Sequence, residues 1–133
     1  MAAVTPSLLQ SDIDELRTAT VPPQGHWIGG RCDFGSDGAR LTVISPIDGQ
    51  AFSSLAAGTS SDVDSAVRAG RAAFEAGTWS RAHPTVRKQA LSKLADLIER
   101  HALELAVLGV RDNGTEVRLA YRSEPLSAAG SFR

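Results

Sequence analysis

The stretch from Leu41 to Gly77 constrains the fold more than any other part of this 133-residue chain. Two short runs of strand-favouring residues flank the segment Ser45-Pro46-Ile47-Asp48-Gly49-Gln50. Proline favours an extended residue before it, and an Asp-Gly dipeptide tolerates the positive φ of a tight reversal. The pattern therefore predicts an antiparallel hairpin with strands at 41–44 and 51–55.

A capped amphipathic helix is predicted directly after the hairpin. Thr59 stands three residues before Asp62, which is the spacing of a capping box in which Asp replaces the usual Glu or Gln. Gly77 accepts the left-handed conformation in which many helices end. Between these signals, apolar residues recur at three- and four-residue steps and predict one face turned to a core: Val63, Ala66, Val67, Gly70, Ala73 and Phe74.

Further helices are predicted at 85–100 and 102–111, with a break near His101 because the apolar face shifts there. Their core-facing positions are Val86, Ala90, Leu94, Leu97, Ile98, Leu105 and Leu108. Asp112-Asn113-Gly114 predicts a turn that ends the second of these helices. Residues 116–123 and 124–132 predict additional helical turns, with Pro125 suited to a first helical position.

Residues 1–25 are predicted to be a flexible arm followed by a Pro-rich linker. Thr5-Pro6 is a candidate start of a short helix carrying Leu8, Leu9, Ile13 and Leu16, and a weakly helical or mobile arm is the alternative. Pro22-Pro23 breaks any such helix. Trp27-Ile28-Gly29-Gly30 predicts a short strand with Trp27 in the core, so the ordered domain is expected to span 26–133, with strands at about 26–55 and helices at about 60–133.

The order of these motifs resembles the opening of the NAD(P)-dependent aldehyde dehydrogenase superfamily. The resemblance is carried by Ser45 to Gly49, by Ala57-Gly58-Thr59 and by the run from Asp62 to Phe74. Leu94 to Glu99, followed by Glu104-Leu105-Ala106, is similar to the second helical region of that family. The family usually continues its Asp-x-Gly turn with Lys-Pro, whereas this chain has Thr115-Glu116.

The resemblance implies an α+β fragment of an α/β enzyme, in which a β-hairpin is followed by a cluster of amphipathic helices. The nucleotide-binding sheet and the catalytic domain would be lacking. In full length, such an enzyme oxidises an aldehyde to a carboxylic acid with NAD or NADP through a cysteine thioester. The segment alone is expected to be inactive and not to bind the nucleotide, so no catalytic and no cofactor-binding residue is assigned. The alternative is a non-catalytic remnant or an interaction module that pairs with a full-length dehydrogenase subunit.

Cys32 is the only cysteine, and we reject it as the nucleophile. Asp33 follows it, and a neighbouring negative charge raises a thiol pKa. In the resembled family the nucleophile lies far downstream, in a motif that this sequence does not contain. A buried or half-exposed structural thiol is the preferred interpretation. None of the glycine-rich turns gives a phosphate-binding motif between a strand and a helix.

One candidate cation site follows from the resemblance alone. Several aldehyde dehydrogenases bind a monovalent cation between the first hairpin strand and the Asp-x-Gly turn. The backbone carbonyls of Val43 and Ile44 and the carboxylate of Asp112 occupy the matching positions. The competing interpretation makes Asp112 a turn residue at a helix end.

Composition excludes several other functions. Fourteen basic and fifteen acidic residues give a net charge of −1, which disfavours nucleic acid and anionic membranes as partners and leaves a helix-turn-helix DNA binder as a distant alternative. The three histidines lack the spacing of a zinc site. One cysteine sets no need for an oxidising compartment, so a cytoplasmic location is expected, with a homo-oligomer or a dehydrogenase subunit as partner.

Overall fold

The computed structural model describes residues 9–133. Thr5, Pro6 and Leu8 of the predicted N-terminal helix lie outside the described residues. Within them the chain forms six helices and two antiparallel two-stranded sheets. In chain order the elements are α1 (Gln10–Thr18), β1 (His26–Ile28), β2 (Arg31–Asp33), β3 (Arg40–Ile44), β4 (Ala51–Ala56), α2 (Ser60–Ala76), α3 (Pro84–Arg100), α4 (Ala102–Asn113), α5 (Val117–Ser123) and α6 (Pro125–Ser131). None of the helices in residues 9–133 is both long and apolar enough to cross a membrane.

The predicted hairpin is confirmed as the pair β3 and β4. Arg40 lies opposite Ala56 and Thr42 opposite Ser54, with an irregularity in the register between Val43 and Ile44. The backbone N–H of Ser45 donates to the carbonyl of Gln50 at 2.9 Å and closes the reversal. Gly49 has a φ of +70°, which is the positive value that the Asp-Gly dipeptide predicts.

The described chain divides into two compact units. The first contains residues 9–20, Pro46–Asp48 and Leu91–Arg133, and the second contains Val21–Ser45 and Gly49–Ala90. The first unit is helical. The second unit holds both two-stranded sheets and α2.

In the second unit, the stretch before β1 joins the hairpin edge. Gln24 forms an isolated parallel bridge with Leu55, in which its N–H donates to Ser54 at 2.9 Å and its carbonyl accepts from Ala56 at 2.8 Å. Next to it, β1 pairs with β2, and β1 also contacts α2. The prediction that Trp27 is in the core is wrong for this chain, because its side chain is 72% exposed. Successive side chains of a strand point to opposite faces, and in β1 His26 and Ile28 are half-buried while Trp27, on the other face, is exposed.

Helix α2 confirms both of its predicted boundaries. Thr59 accepts from the N–H of Asp62, and Asp62 accepts in return from the N–H of Thr59, which completes the capping box. Gly77 ends the helix in the left-handed conformation at a φ of +72°. The helices predicted further along are also found, with the break at His101 and Pro125 as the first residue of α6.

In the first unit, small side chains form the core. Ala102 and Ala106 of α4 are buried against Ala120 and Tyr121 of α5. Gly109 of α4 also has a close neighbour, because a Cβ at that position would lie 2.9 Å from a carboxylate oxygen of Glu124. Small residues at a helix crossing allow the two backbones to come near each other.

Helix α1 is joined to this core through one arginine. The guanidinium of Arg111 in α4 donates to the carbonyl of Ala19 at 2.7 Å and to that of Leu16 at 3.4 Å. Ala19 is the C-cap residue of α1, and the Leu16 carbonyl also accepts from the Ala19 N–H at 3.3 Å. The arginine thus supplies donors at a helix end, where carbonyls lack the N–H of a following turn. A cation at this end also interacts favourably with the helix dipole.

The predicted apolar faces are present, but this chain does not bury them. Val63, Val67 and Phe74 of α2 are 59%, 64% and 64% exposed. The same holds for large residues that were assigned to the core in the next two helices, namely Val86, Leu94, Leu97, Leu105 and Leu108. The burial prediction is wrong because the helices meet within the chain through alanine, which leaves the longer side chains without a facing layer.

Two glycines of α2 give a matched test of these boundaries. In Gly77→Ala we expect a loss of about 1–2 kcal/mol in the free energy of unfolding, because the left-handed conformation is costly for a residue with a Cβ. That Cβ would also collide with the guanidinium of Arg81. Gly70 is inside the helix, and a methyl group placed on it would have nothing within 4 Å, so Gly70→Ala should gain about 0.5–1 kcal/mol.

Urea unfolding of the 133-residue chain, followed by far-ultraviolet circular dichroism, measures both changes. A destabilising Gly70→Ala, or a neutral Gly77→Ala, would contradict the assigned roles of the helix interior and of its C-terminal glycine.

Candidate functional site

The most connected polar cluster lies where the loop after β2 meets the first turn of α2. The carboxylate of Asp62 accepts from the N–H and the hydroxyl of Thr59, each at 2.8 Å. It also accepts from the N–H of Ser36 at 3.0 Å and from the Ser36 hydroxyl at 3.3 Å. Four donors therefore converge on one carboxylate.

These bonds determine the protonation state of Asp62. The hydrogen bond from the Thr59 N–H, followed by those from the Thr59 hydroxyl and from Ser36, lowers the pKa of this carboxyl below its ordinary value of 3.8. The carboxylate is thus kept ionised, and its lone pairs are used inside the protein. Its role is to cap α2 and to hold the loop that contains Ser36, and the same carboxylate occupies the place that an anion would take at a helix N-terminus.

His26 lies next to this cluster and was not identified from the sequence as a site residue. Its Nε2 atom is buried and has no hydrogen-bond partner among the described residues. Methyl groups placed on Gly35 and Gly58 would lie 3.7 Å and 3.6–3.7 Å from the imidazole, so both glycines border the ring. The sequence signal for this residue is the pair Gly35 and Gly58. These glycines lie far apart in sequence, so the sequence does not indicate that both border the same imidazole ring.

Cys32 lies on β2, opposite Trp27 of β1, and its thiol is free and exposed. A buried or half-exposed thiol was predicted, and the prediction of burial is wrong because all three residues of β2 are exposed.

The three residues of the candidate cation site lie on two elements. Val43 and Ile44 are the last two residues of β3, where the ladder with β4 is irregular, and Asp112 is in the last turn of α4. The predicted turn at Asp112 to Gly114 starts later than expected, because α4 continues to Asn113 and Gly114 ends it at a φ of +76°. The cation site itself stays a prediction.

Two further groups of charged side chains are paired. Arg133 binds both Asp96 and Glu99 of α3, at 2.9 Å for Asp96, and the bond from Arg133 lowers the pKa of Glu99. His101 pairs with Glu104 at 2.9 Å across one helical turn. Residues 9–133 contain no group of three or more His, Cys, Asp or Glu side chains placed to hold a metal ion.

The sequence matches one family model, described as "Aldehyde dehydrogenase family", over residues 34–133. Among similar proteins, the NADP/NAD-dependent aldehyde dehydrogenase PuuC of Escherichia coli K12 is 36% identical over 107 residues. That alignment covers 80% of this chain and 22% of PuuC. Fluoroacetaldehyde dehydrogenase of Streptantibioticus cattleyicolor is 36% identical over 112 residues, covering 84% of this chain and 22% of that protein.

Solved structures show the same similarity in three dimensions. The aldehyde dehydrogenase KauB from Pseudomonas aeruginosa matches with a TM-score of 0.88 at 30% identity, over 96% of this chain and 26% of KauB. An indole-3-acetaldehyde dehydrogenase in complex with NAD+ matches with a TM-score of 0.88 at 28% identity, over 95% of this chain and 26% of that one. The chain thus spans about a fifth to a quarter of the length of these four proteins.

The Asp62 cluster predicts a pH dependence of stability. A carboxyl whose pKa is lowered by folding stabilises the protein above its unfolded pKa, and this contribution is lost as the pH falls through the folded value. Asp62→Asn should therefore lower the urea midpoint at pH 7, whereas the difference from the wild type should shrink as the pH falls below 3.8.

Asp64→Asn, two residues along the same helix, is the matched control and should show little effect at either pH. A wild-type and Asp62→Asn difference that is the same at pH 7 and at about pH 3 would show that the carboxylate charge does not matter.

Proposed function

Because the chain belongs to the aldehyde dehydrogenase family, we propose that it is the N-terminal segment of an NAD(P)+-dependent aldehyde dehydrogenase. In full length, this enzyme oxidises an aldehyde to a carboxylic acid through a cysteine thioester. The observation that carries the proposal is the family match over residues 34–133, combined with a coverage of only 22% of the related enzymes. Most of the polypeptide that the related enzymes use lies outside this sequence.

The redox cofactor follows from the same relatives. PuuC is named as NADP/NAD-dependent, and an indole-3-acetaldehyde dehydrogenase with this fold has been solved with NAD+. Within the described residues, the N-terminus of α2 is occupied by the Asp62 carboxylate. We therefore place nucleotide binding in the part of the enzyme outside this segment.

The segment by itself is proposed to be inactive. Oxidation of an aldehyde by this route needs a thiolate that adds to the carbonyl, an acceptor for hydride and a base for the hydrolysis of the thioester. In support of this proposal, the single cysteine lies on an exposed strand and Asp62 is engaged in helix capping.

Two further elements of the proposal rest on the resemblance. A monovalent cation would be bound through the carbonyls of Val43 and Ile44 and the carboxylate of Asp112, because hard cations prefer oxygen ligands. We also place the protein in the cytoplasm, as a single exposed cysteine needs no oxidising compartment.

We expect the product of the native gene to be heavier than the 14.0 kDa chain and to reduce NAD+ or NADP+ in the presence of an aldehyde. The 133-residue chain alone should show no turnover above the blank. Intact-mass spectrometry of the protein from its native source, followed by absorbance at the reduced-nicotinamide band, measures both.

The control variant is Cys32→Ser in the 133-residue chain. Turnover by the short chain that disappears in Cys32→Ser would show that this segment carries its own nucleophile, and the proposed division of roles would be wrong. A native product with a mass of 14.0 kDa would show that this chain is not made as a segment of a longer enzyme, and the proposed function would be wrong.

A second candidate function is that of an interaction module that binds a full-length dehydrogenase subunit. The observation that favours it is the exposed apolar surface: Trp27 is 72% exposed, Phe74 is 64% exposed, and several leucines and valines also remain accessible. Apolar patches of this kind promote association between proteins.

For this second candidate, the purified chain should co-elute with a full-length relative such as PuuC on size exclusion at micromolar concentrations. An unrelated protein of similar size, run in parallel, controls for nonspecific adhesion. Separate elution of the chain and PuuC, with the chain at its monomer volume, would remove this candidate.

A further inference from the structure

Helix α1 depends on its contact with α4 for its helical order. It has 9 residues, and an isolated helix shorter than about 12–15 residues is marginal in water. Its N-cap residue, Leu9, makes no side-chain cap bond, and none of its residues is buried. Ile13 and Leu16 are half-buried and lie one turn apart, so they share a side of the helix. Helix α1 is therefore docked through a narrow apolar side.

Helix α4 meets α1 with a buried valine and an arginine. Val107 is 3% exposed, and Arg111, one turn further along, lies on the same side of α4. The Arg111 guanidinium reaches the C-terminal end of α1, where it donates to the carbonyls of Leu16 and Ala19. The arginine thus indicates which side of α4 is turned toward α1, and Val107 lies on that side.

The other helices that pack closely on α4 lie on different sides of it. Ala106 packs against α5, and Gly109 approaches Glu124 at the start of α6. At 100° per residue, Val107 is about 100° round the helix from Ala106 and about 160° from Gly109. Val107 therefore owes its burial to α1, and the accessibility of this position reports whether α1 is in place.

We propose that α1 is a releasable cover of α4. In the released state α1 leaves Val107 while α4, α5 and α6 stay packed, and in the docked state the bonds from Arg111 to its C-terminal carbonyls hold it. A peripheral element with few buried contacts opens at a lower free energy than the core. Release exposes an apolar patch of α4 that the docked helix shields. The inference goes beyond the proposed function, since it concerns described residues of this chain alone.

Thiol labelling measures this release at single positions. Cys32 is the only cysteine and is exposed, so Cys32→Ser gives a background without a reactive thiol. In that background, Val107→Cys reports on the α1 side of α4, and Ala106→Cys, at the preceding position, reports on the α5 side. N-ethylmaleimide modifies a thiol only when the thiol is accessible, and mass spectrometry of the 133-residue chain in native buffer gives the rate of modification.

When Arg111→Met is added, we expect Val107→Cys to be modified about tenfold faster, the smallest factor that loss of a hydrogen bond to a charged group should give. The rate for Ala106→Cys should stay the same, because Ala106 lies on the side that faces α5. Arg118→Met, which removes an exposed arginine of α5, is the matched control and should change neither rate. If Ala106→Cys loses helix content in far-ultraviolet circular dichroism, Ala120→Cys on the α5 side of the same contact takes its place.

Three results would overturn the inference. Equal rates for Val107→Cys with and without Arg111→Met would show that the arginine does not hold α1. Modification of Val107→Cys as fast as that of Cys32 in the unmodified chain would show that α1 does not cover this position. Parallel acceleration at Val107→Cys and Ala106→Cys would show that α1 is released only when the whole helical unit unfolds.

Discussion

The carboxylate of Asp62 joins two parts of the chain that lie 26 residues apart in sequence. It closes the first turn of α2, fixes Thr59 directly after the hairpin and binds Ser36 in the loop after β2. A helix of 17 residues needs a satisfied N-terminus to begin at a defined place, and here the group that satisfies it also ties down the incoming loop. The start of α2 therefore sets the position of both the loop and the helix face that follows.

Helix boundaries could be predicted because each depends on residues within a few positions. Thr59 with Asp62, Gly77, the break at His101 and Pro125 all act through the local backbone, and all are found where the sequence indicates. The pairing of β1 with β2 was not predicted. Arg31 to Asp33 has weak strand character, and it becomes a strand only because the Gly29-Gly30 turn brings it beside Trp27.

Burial could not be predicted in the same way, because amphipathic spacing tells which side of a helix seeks a partner but not where that partner is. In α4 and α5, Ala102, Ala106 and Ala120 fill the contact, and leucines of the same helices stay accessible. The prediction of Trp27 as a core residue failed for the same reason. Its apolar character is real, but strand pairing covers an edge and not a face, and only the face of β1 with His26 and Ile28 is half-buried. The candidate site could not be predicted in full for a similar reason. His26 was not identified from the sequence because Gly35 and Gly58, which border its ring, come together only in the folded chain.

What the chain shares with its relatives is thus a set of packing surfaces more than a set of reactive groups. The residues that carry the resemblance include Val63, Val67 and Phe74, and these are exposed in the chain by itself. An apolar side chain on a water-exposed helix face gains nothing from the hydrophobic effect there. The similarity over residues 34–133 therefore lies in the strands, in the helix boundaries and in these exposed apolar faces.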